Sequence, residues 1–449
     1  MSSILVIGEI QGQNGQPVAF PDGIYVGSGA PGSVNAIGTP GAQGFGVGIC
    51  PGPLPAGMSE LFGTRDQGSD NFGNYQYSDG SVMVWVPAFF YKYGTGANGL
   101  AVNAVSIQPF STYADVSTAN AAGYALHRAF YNGGTIRPGV FVDKFIPSNN
   151  GGIASSLKNG IALASAQRGS IVNSAFSSLT GAPPNFYYGA LAAAKTRGAN
   201  FFCSSRFIFG ALALLSYAHA AASTTTTYCA WYNATNNFPK GCNNNALGDA
   251  QDATIAYTDD GTASNCGLTG SANFLARSTH NGQNCGIADL NGLVWEITPG
   301  LVTDTAGTTF YVLNTAADMK AVTGGNTLAT DLWGATGIAA LYTALGATYE
   351  AATASSTQKY FGNAAQVLSE ATSGLPWEWA GLGAPLLGGV GGTNAFGNDG
   401  FWDYRPGDMC PISGGGWNNS SAVGVWALAL ANVRGSSDSY VGFRAALYL

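Results

Sequence analysis

Seven cysteines and three histidines are the side chains of this sequence with the greatest capacity for metal binding or nucleophilic chemistry. The cysteines are odd in number and widely spaced, no Cys-x-x-Cys pair occurs, and the histidines lie far apart along the chain. Because a zinc site needs three or four such ligands at short spacings, the pattern does not predict one. We expect small buried thiols, with room for one or two disulfides because Cys229 and Cys242 flank a loop.

Hydrolytic chemistry also lacks a recognisable arrangement of residues. The sequence contains no Gly-x-Ser-x-Gly turn for a serine nucleophile, and its 24 acidic residues form no glycosidase motif. We expect His127 and His219 to be structural side chains, and His280 to order a loop through its hydrogen bonds. The sequence therefore favours binding over catalysis.

The composition is typical of a large folded protein with a polar but weakly charged surface. Of 449 residues, 46% are hydrophobic and only 9% are charged, while 65 glycines predict many turns. Asn, Ser, Gly and Tyr supply a surface similar in composition to an antibody paratope. The net charge of −7 and the scattered basic residues argue against a nucleic-acid partner.

The N-terminal stretch MSSILVIGEIQGQ does not look like a signal peptide, since no basic residue precedes the apolar run and Glu9 interrupts it. The stretch Phe207–Ala222 is too short and too polar to span a bilayer. We therefore expect synthesis in a host cytoplasm and no membrane insertion. Residues 1–45 are predicted to be a β-rich attachment and oligomerisation segment, and residues 46–449 to form one domain with loop-rich insertions.

Strand patterns occur near both ends of this domain. Residues 81–92 are strongly β-prone, and Pro87 favours an edge or a bulge there. Further strands are predicted at Tyr124–Phe130, at Gly139–Phe145 and within Trp417–Leu449.

Helix patterns lie between these strands. One helix is predicted over Asn185–Arg197 and a second over Ser204–Ala221, where apolar residues recur at helical spacing. Residues 223–330 carry little helix signal, and a helical insertion is predicted at about 331–372. This order predicts an α+β fold.

Two sequence elements carry a family resemblance. The C-terminal stretch opens with Gly-Gly-x-Trp at Gly414–Trp417 and closes with Gly-Phe-Arg at Gly442–Arg444, and Gly292, Trp295 and Glu296 form a Gly-x-x-Trp-Glu element. Together they resemble C-type-lectin-like proteins that include formylglycine-generating enzymes and retroelement-diversified phage tropism determinants. The segments that run from Cys229 to Asp249 and from Gly46 to Met58 are similar to phage tail-fibre relatives of this group.

The resemblance implies a C-type-lectin-like domain that displays a variable ligand-binding face between rigid anchors. Trp417, Trp426, Phe443 and Arg444 would be scaffold, and a buried Arg444 would need a partner such as Asp403 or Asp408. Val425, Leu428 and Leu430 would be buried supports. The candidate binding residues are small, polar or Tyr: Asn418, Asn419, Ser420, Ser421, Ala422, Ala429, Ala431, Asn432, Ser436, Asp438, Ser439 and Tyr440. The alternative is that 418–440 is ordinary loop and strand surface.

The chemistry of other relatives is not expected here. A thiol-dependent oxidase needs a cysteine pair in the C-terminal region, whereas Cys410 stands alone. Calcium-dependent sugar binding needs a proline-containing acidic loop that the sequence does not contain. Family analogy leaves room for a structural calcium near Asp289, Asn291 and Glu296, although Leu293 stands where the enzymes carry Asn.

Three functions follow from this reading. The first is a phage receptor-binding protein at the tip of a tail fibre, a homotrimer that contacts a bacterial surface protein or glycan and joins other virion proteins through its N-terminal segment. The second is a capsid decoration or head-fibre protein of the same fold. The third is an enzyme that degrades surface glycans. No cofactor is expected, apart from the structural calcium that the family analogy allows.

Overall fold

The computed structural model describes residues 32–94, 96–101, 104–233, 238–262, 264–303, 307, 309–315, 342–344, 351–361 and 396–449. Strands outnumber helices in these residues by 24 to three, so the described chain is mostly β with few helices. The strands are β1 Met58–Glu60, β2 Asn74–Tyr77, β3 Val82–Pro87, β4 Phe89–Tyr93, β5 Val105–Pro109, β6 Ala125–Leu126, β7 Tyr131–Asn132, β8 Thr135–Ile136, β9 Gly139–Asp143, β10 Ser148–Asn150, β11 Ile153–Ser155, β12 Phe202–Cys203, β13 Gly248–Asp249, β14 Asp252–Ala256, β15 Trp295–Ile297, β16 Leu301–Thr303, β17 Phe310–Leu313, β18 Tyr342–Ala344, β19 Gln358–Tyr360, β20 Gly400–Trp402, β21 Ile412–Ser413, β22 Leu428–Ala429, β23 Val441–Gly442 and β24 Ala445–Tyr448.

The three helices are α1 Val116–Ala121, α2 Phe186–Lys195 and α3 Arg206–Ala222. Both predicted helices are confirmed as α2 and α3, and a polar side chain caps the start of each. Asn185 accepts hydrogen bonds from the first turn of α2, and the Ser205 side chain accepts one from the first turn of α3. Helix α3 is buried from Arg206 to Ala220 on all sides, as expected for a helix in the middle of a core.

Two six-stranded sheets organise the described chain. The first has the order β1-β2-β3-β9-β24-β12, and its neighbouring strands are all antiparallel. The second has the order β19-β20-β22-β21-β15-β23 and is mixed, with parallel pairs β20–β22 and β15–β23. Because β23 and β24 belong to different sheets, Phe443 and Arg444 form the link between them.

The strand predictions hold in part. β9 confirms the prediction at Gly139–Phe145, but Tyr124–Phe130 contains only the two-residue β6 followed by a 3-10 turn. Pro87 ends β3 opposite Gly139, so it lies at the end of an inner strand rather than on an edge. The chain then continues into β4 of another sheet, which explains why a missing backbone N–H is tolerated there.

Most of the predicted helical insertion at 331–372 lies outside the described residues. The parts that are described hold strands β18 and β19, so they contradict a helix at those positions. In both places the chain pairs with a neighbouring strand, β17 and β20 respectively, which replaces helical hydrogen bonds by sheet hydrogen bonds.

The predicted N-terminal segment is described only from residue 32. Ile37 and Phe45 are fully buried in the same core as α3, and Gly41 donates a backbone hydrogen bond to Nδ1 of His219 at 3.0 Å. Residues 32–45 therefore pack into the main body. The boundary at residue 45 stays a prediction.

Within the part of the chain that the structure describes, no helix combines the length and the apolar character that crossing a membrane requires.

Candidate recognition surface

Arg444 is the main link between the two large sheets. Its side chain is 1% exposed and makes a two-pronged ion pair with Glu296, with Nη2–Oε1 at 2.8 Å and Nε–Oε2 at 3.0 Å. It also donates to the carbonyls of Asp143, Lys144 and Ala288. The prediction that Arg444 is scaffold is confirmed.

The predicted partner of Arg444 is wrong. Asp403 is engaged with Arg405 at 2.6 and 2.7 Å, and the partner is Glu296 instead. The parallel pairing of β15 with β23 sets Glu296 opposite Gly442, two residues before Arg444. The Trp-Glu and Gly-Phe-Arg elements therefore form one structural unit.

A glycine turn positions the first loop of the surface, residues 417–421. Gly415 has a φ of +119°, and a Cβ at this position would collide with Val423. After this turn the Trp417 N–H donates to the Leu293 carbonyl at 2.9 Å. The loop is thereby held against the chain segment that leads into β15.

Asn419 orders the first loop from within. Its amide oxygen accepts hydrogen bonds from the Trp295 indole N–H at 2.6 Å and from the Gly416 N–H at 3.1 Å. The Asn244 N–H donates to the Asn419 carbonyl at 2.6 Å, and the Asn245 N–H donates to the Trp417 carbonyl at 2.8 Å. Asn419 therefore holds the loop in shape, and its amide oxygen is already used.

The second loop, residues 436–440, is fixed by its backbone. The Ser165 hydroxyl both accepts from the Asp438 N–H at 2.8 Å and donates to the Asp438 carbonyl at 2.9 Å. Arg168, which is 1% exposed and paired with Asp260 at 2.8 Å, donates to the Ser439 carbonyl at 2.9 Å. A buried ion pair thus supports an otherwise irregular loop from below.

Trp295 joins the two loops. Its backbone N–H donates to the Tyr440 carbonyl at 2.8 Å, while its indole N–H holds Asn419. The ring is 4% exposed and lies edge-on to Trp402 at 5.7 Å. One buried residue therefore sets the position of both loops.

The structure places the twelve predicted binding residues at three depths. Ser420 and Ser421 are exposed, and Ala422 and Ala429 are buried at 8% and 6% exposure. The other eight are partly exposed: Asn418, Asn419, Ala431, Asn432, Ser436, Asp438, Ser439 and Tyr440. The predicted supports Val425, Leu428 and Leu430 are confirmed as buried.

Ala422 and Ala429 are corrected to core positions. Ala429 lies in β22, which pairs with β20 on one side and β21 on the other, so it belongs to an inner strand. Ala422 precedes Val423, which is 1% exposed and packs in the main core. Neither methyl group can contribute to a surface that contacts a large ligand.

Partial burial changes the acidity of the second loop. The Asp438 carboxyl and the Tyr440 hydroxyl interact with each other, and partial burial raises the pKa of both groups. In the first loop, the Asn418 amide oxygen and the Trp417 indole N–H are shielded from solvent and have no hydrogen-bond partner in the described part of the chain. The two loops therefore retain polar groups that the fold does not use.

Sequence reasoning missed three residues of this surface. Trp402 is partly exposed beside Trp295, and Asn244 and Asn245 hold the first loop with φ values of 61° and 54°. The run of three asparagines at 243–245 was the available signal, because Asn tolerates positive φ better than most residues. Trp402 gave no local signal, since only the pairing of β20 with β22 brings it to this surface.

The two carboxylates considered for a structural calcium, Asp289 and Glu296, are already engaged by donors of the protein. Both carboxylate oxygens of Glu296 are taken by Arg444, and those of Asp289 accept from the Tyr257 hydroxyl and the Gly270 N–H. Burial raises the pKa of Asp289 to about 6, which further disfavours the charged form that calcium requires. Across the described ranges, no cluster of three or more His, Cys, Asp or Glu could hold a metal ion.

The cysteines and histidines are structural. All seven cysteines are buried free thiols, so Cys229 and Cys242 form no disulfide. His280 accepts from the Ile287 N–H at 3.0 Å and contacts the Gly46 carbonyl at 3.1 Å, which confirms its loop-ordering role. Burial lowers the pKa of His280 to about 4 and of His127 to about 3, so both rings are neutral near pH 7.

No protein-family model and no curated protein matches the sequence. Among solved structures, the chain is similar to a "Major Tropism Determinant U1 Variant" with a TM-score of 0.29 and 10% identity, over 83% of this chain and 65% of that one. The "Major Tropism Determinant M1 Variant" has the same TM-score and identity, over 82% and 63%. This chain thus covers less than two thirds of the length of either.

Replacing Trp295 by phenylalanine should loosen the first loop selectively. The ring contact with Trp402 can persist, but the hydrogen bond to Asn419 is lost, at a cost of about 1 kcal/mol. Amide hydrogen exchange should accelerate at 416–421 and stay unchanged in β9. Trp231→Phe is a matched control, because its indole N–H donates to the Thr279 carbonyl elsewhere. Equal exchange at 416–421 in Trp295→Phe and the unaltered protein would contradict the assigned role.

Proposed function

We propose that this chain is a phage receptor-binding protein with a C-type-lectin-like domain, which recognises a bacterial surface protein or glycan. The recognition patch consists of the nine predicted residues that the structure leaves available: Asn418, Ser420, Ser421, Ala431, Asn432, Ser436, Asp438, Ser439 and Tyr440. The observation that carries the proposal is the contrast between a backbone held by hydrogen bonds and side chains that are mostly small and polar at these positions.

This contrast suits a binding surface whose sequence can vary. Trp295, Ser165 and Arg168, which lie outside the patch, supply side-chain hydrogen bonds that hold the two loops, and Asn244 and Asn245 add backbone hydrogen bonds to the first loop. Ser420 accepts from the Ala422 N–H at 3.5 Å, at the limit of hydrogen-bond length, so substitution at the exposed Ser420 and Ser421 leaves the other hydrogen bonds of the loop in place. A preorganised backbone lowers the entropic cost of binding, and the partly exposed rings of Tyr440 and of Trp402, which lies beside Trp295, supply aromatic contact area.

The family resemblance supports the same proposal. The Gly-Gly-x-Trp, Trp-Glu and Gly-Phe-Arg elements surround the patch, and the pairing of Glu296 with Arg444 joins two of them. A homotrimer at the tip of a tail fibre, attached to other virion proteins by its N-terminal segment, would multiply weak individual contacts. Imaging the chain within the virion distinguishes the tip of a tail fibre from the alternative location on the capsid.

Virion adsorption tests the proposed patch. We expect Ser420→Tyr combined with Ser421→Tyr to reduce adsorption to host cells at least about tenfold, because two bulky rings prevent close contact with the receptor. A tenfold reduction corresponds to a loss of about 1.4 kcal/mol of binding free energy. The matched control is Ser111→Tyr with Thr112→Tyr, an exposed pair in a 3-10 turn that should adsorb normally. Both variants should keep the melting temperature. Normal adsorption of the Ser420/Ser421 variant would contradict the proposal.

A further inference from the structure

A cavity of about 720 Å³ lies outside the recognition patch. It is bounded by the link after β9, by residues 272–277 and by parts of the chain near Asp70 and Asn284, and it contains no residue of 414–444. Its volume is within the range of small-molecule sites in proteins. The cavity is therefore large enough for one or a few sugar units.

The charge of the cavity is opposite to that of the whole chain. The protein carries a net charge of −7, yet the cavity lining contains Lys144, Lys158 and Arg277 against one acidic residue, Asp70. Arg277 is paired with Asp252 at 2.5 Å, and the Asp70 carboxylate accepts from the Asn284 amide at 3.1 Å. The two lysines thus leave an excess of positive charge.

Lys144 is a buried cation in this lining. It is 5% exposed, and its ammonium donates to the Asn74 amide oxygen at 2.5 Å and to the Asp70 carbonyl at 3.4 Å. No carboxylate of the described chain lies within ion-pair distance of it. An ammonium has three N–H donors, so the acceptors in the described residues leave one for a ligand.

The energetic cost of this arrangement points to an anion. Burying a charge without an opposite charge is unfavourable, and burial lowers the pKa of Lys144 to about 8. The Cys285 thiol, Asp70 and Lys158 are the other titratable groups that act on it. Binding of an anion would offset the cost of burial.

The rim of the cavity adds features that suit a sugar. The Phe274 ring is 56% exposed, held by the Arg277 guanidinium at 5.5 Å from its centroid. Lys158 is exposed and Asn284 is partly exposed at the same rim. An open aromatic face beside cationic and amide groups offers stacking together with hydrogen bonding.

We infer that this cavity binds an acidic saccharide, with Lys144 and Lys158 contacting its carboxylate groups and Phe274 stacking on a sugar ring. The inference goes beyond the recognition patch and does not depend on it, because the two sites share no residue. A chain with this second site would engage a charged glycan independently of the surface formed by 418–440.

Calorimetric titration of the full chain with trigalacturonate tests the inference. We expect measurable binding at low salt, none for neutral maltotriose, and none of comparable strength for inorganic phosphate. Lys158→Gln and Phe274→Ala change exposed side chains, so they should fold normally and weaken binding several-fold. Lys92→Gln, a lysine on β4 outside the cavity, should bind like the unaltered chain.

Among the variants, Lys144→Met should cause the largest loss of trigalacturonate binding. Loss of a charge-assisted hydrogen bond should weaken binding about tenfold or more. In the unaltered chain affinity should fall as the pH rises through about 8, because Lys144 loses its proton, and this dependence should persist in Lys158→Gln. Absence of trigalacturonate binding, equal binding of maltotriose or phosphate, or normal binding by both Lys158→Gln and Phe274→Ala would overturn the inference.

Discussion

Replacing Arg444 by methionine should lower the free energy of unfolding by about 3–5 kcal/mol, since it leaves a buried carboxylate without its counter-charge. The arginine is 1% exposed and Glu296 is 2% exposed, so water cannot substitute for the lost partner. The carbonyls of Asp143, Lys144 and Ala288 lose a donor in the same step. Denaturant unfolding of the purified protein measures the loss.

A double variant separates charge from packing in this result. Arg444→Met combined with Glu296→Leu removes both charges, so it should be more stable than Arg444→Met alone. The Arg65→Met variant is the control, because its ion pair with Glu60 is more than one third exposed on both sides and contributes little. If Arg444→Met cost no more than Arg65→Met, the linking role of Arg444 would be refuted.

Replacing Asp399 by asparagine should stabilise the protein at neutral and mildly alkaline pH. Asp399 is fully buried, and one of its oxygens accepts from the Trp426 N–H at 2.7 Å while the other has no partner among the described residues. Burial raises its pKa from 3.8 to about 8, against the opposing effects of the Trp426 and Ala427 N–H groups and of Lys240. An asparagine amide resembles the neutral acid, so it avoids the cost of ionisation.

The raised pKa of Asp399 determines at which pH the asparagine variant is the more stable protein. The folded protein keeps the Asp399 proton while the unfolded chain releases it, so the associated stability is complete below about pH 4 and is lost as the pH rises toward 8. The two proteins should be similar near pH 4, and the asparagine variant more stable by several kcal/mol near pH 8, at about 1.4 kcal/mol per pKa unit.

Asp403→Asn is the matched control for this experiment. Asp403 is also fully buried, but both of its oxygens face Arg405, so its charge is compensated. Its loss should destabilise the protein at pH 8, opposite to Asp399→Asn. Parallel stability curves for Asp399→Asn and the unaltered protein between pH 4 and 8 would show that Asp399 does not carry the buried proton.

Local signals predicted those parts of the fold that depend on neighbours in sequence. Asn185 and Ser205 cap α2 and α3 within four residues of the donors they accept from, so the sequence predicted the helix starts. The burial of Val425, Leu428 and Leu430 was predicted from the family resemblance instead. The predicted helix at 331–372 was wrong in the parts that the structure describes, because pairing with strands β17 and β20 overrides the local helix propensity.

The sequence by itself determined that the C-terminal unit carries small polar residues between a glycine turn and buried apolar positions, because these features act over a few residues. Only the tertiary structure decided which of those residues reach the surface. Ala429 is covered by β20 and β21, Asn419 is held by Trp295, and Arg444 meets Glu296 across 148 positions. Such contacts depend on sheet pairing between distant segments, which spacing along the chain cannot reveal.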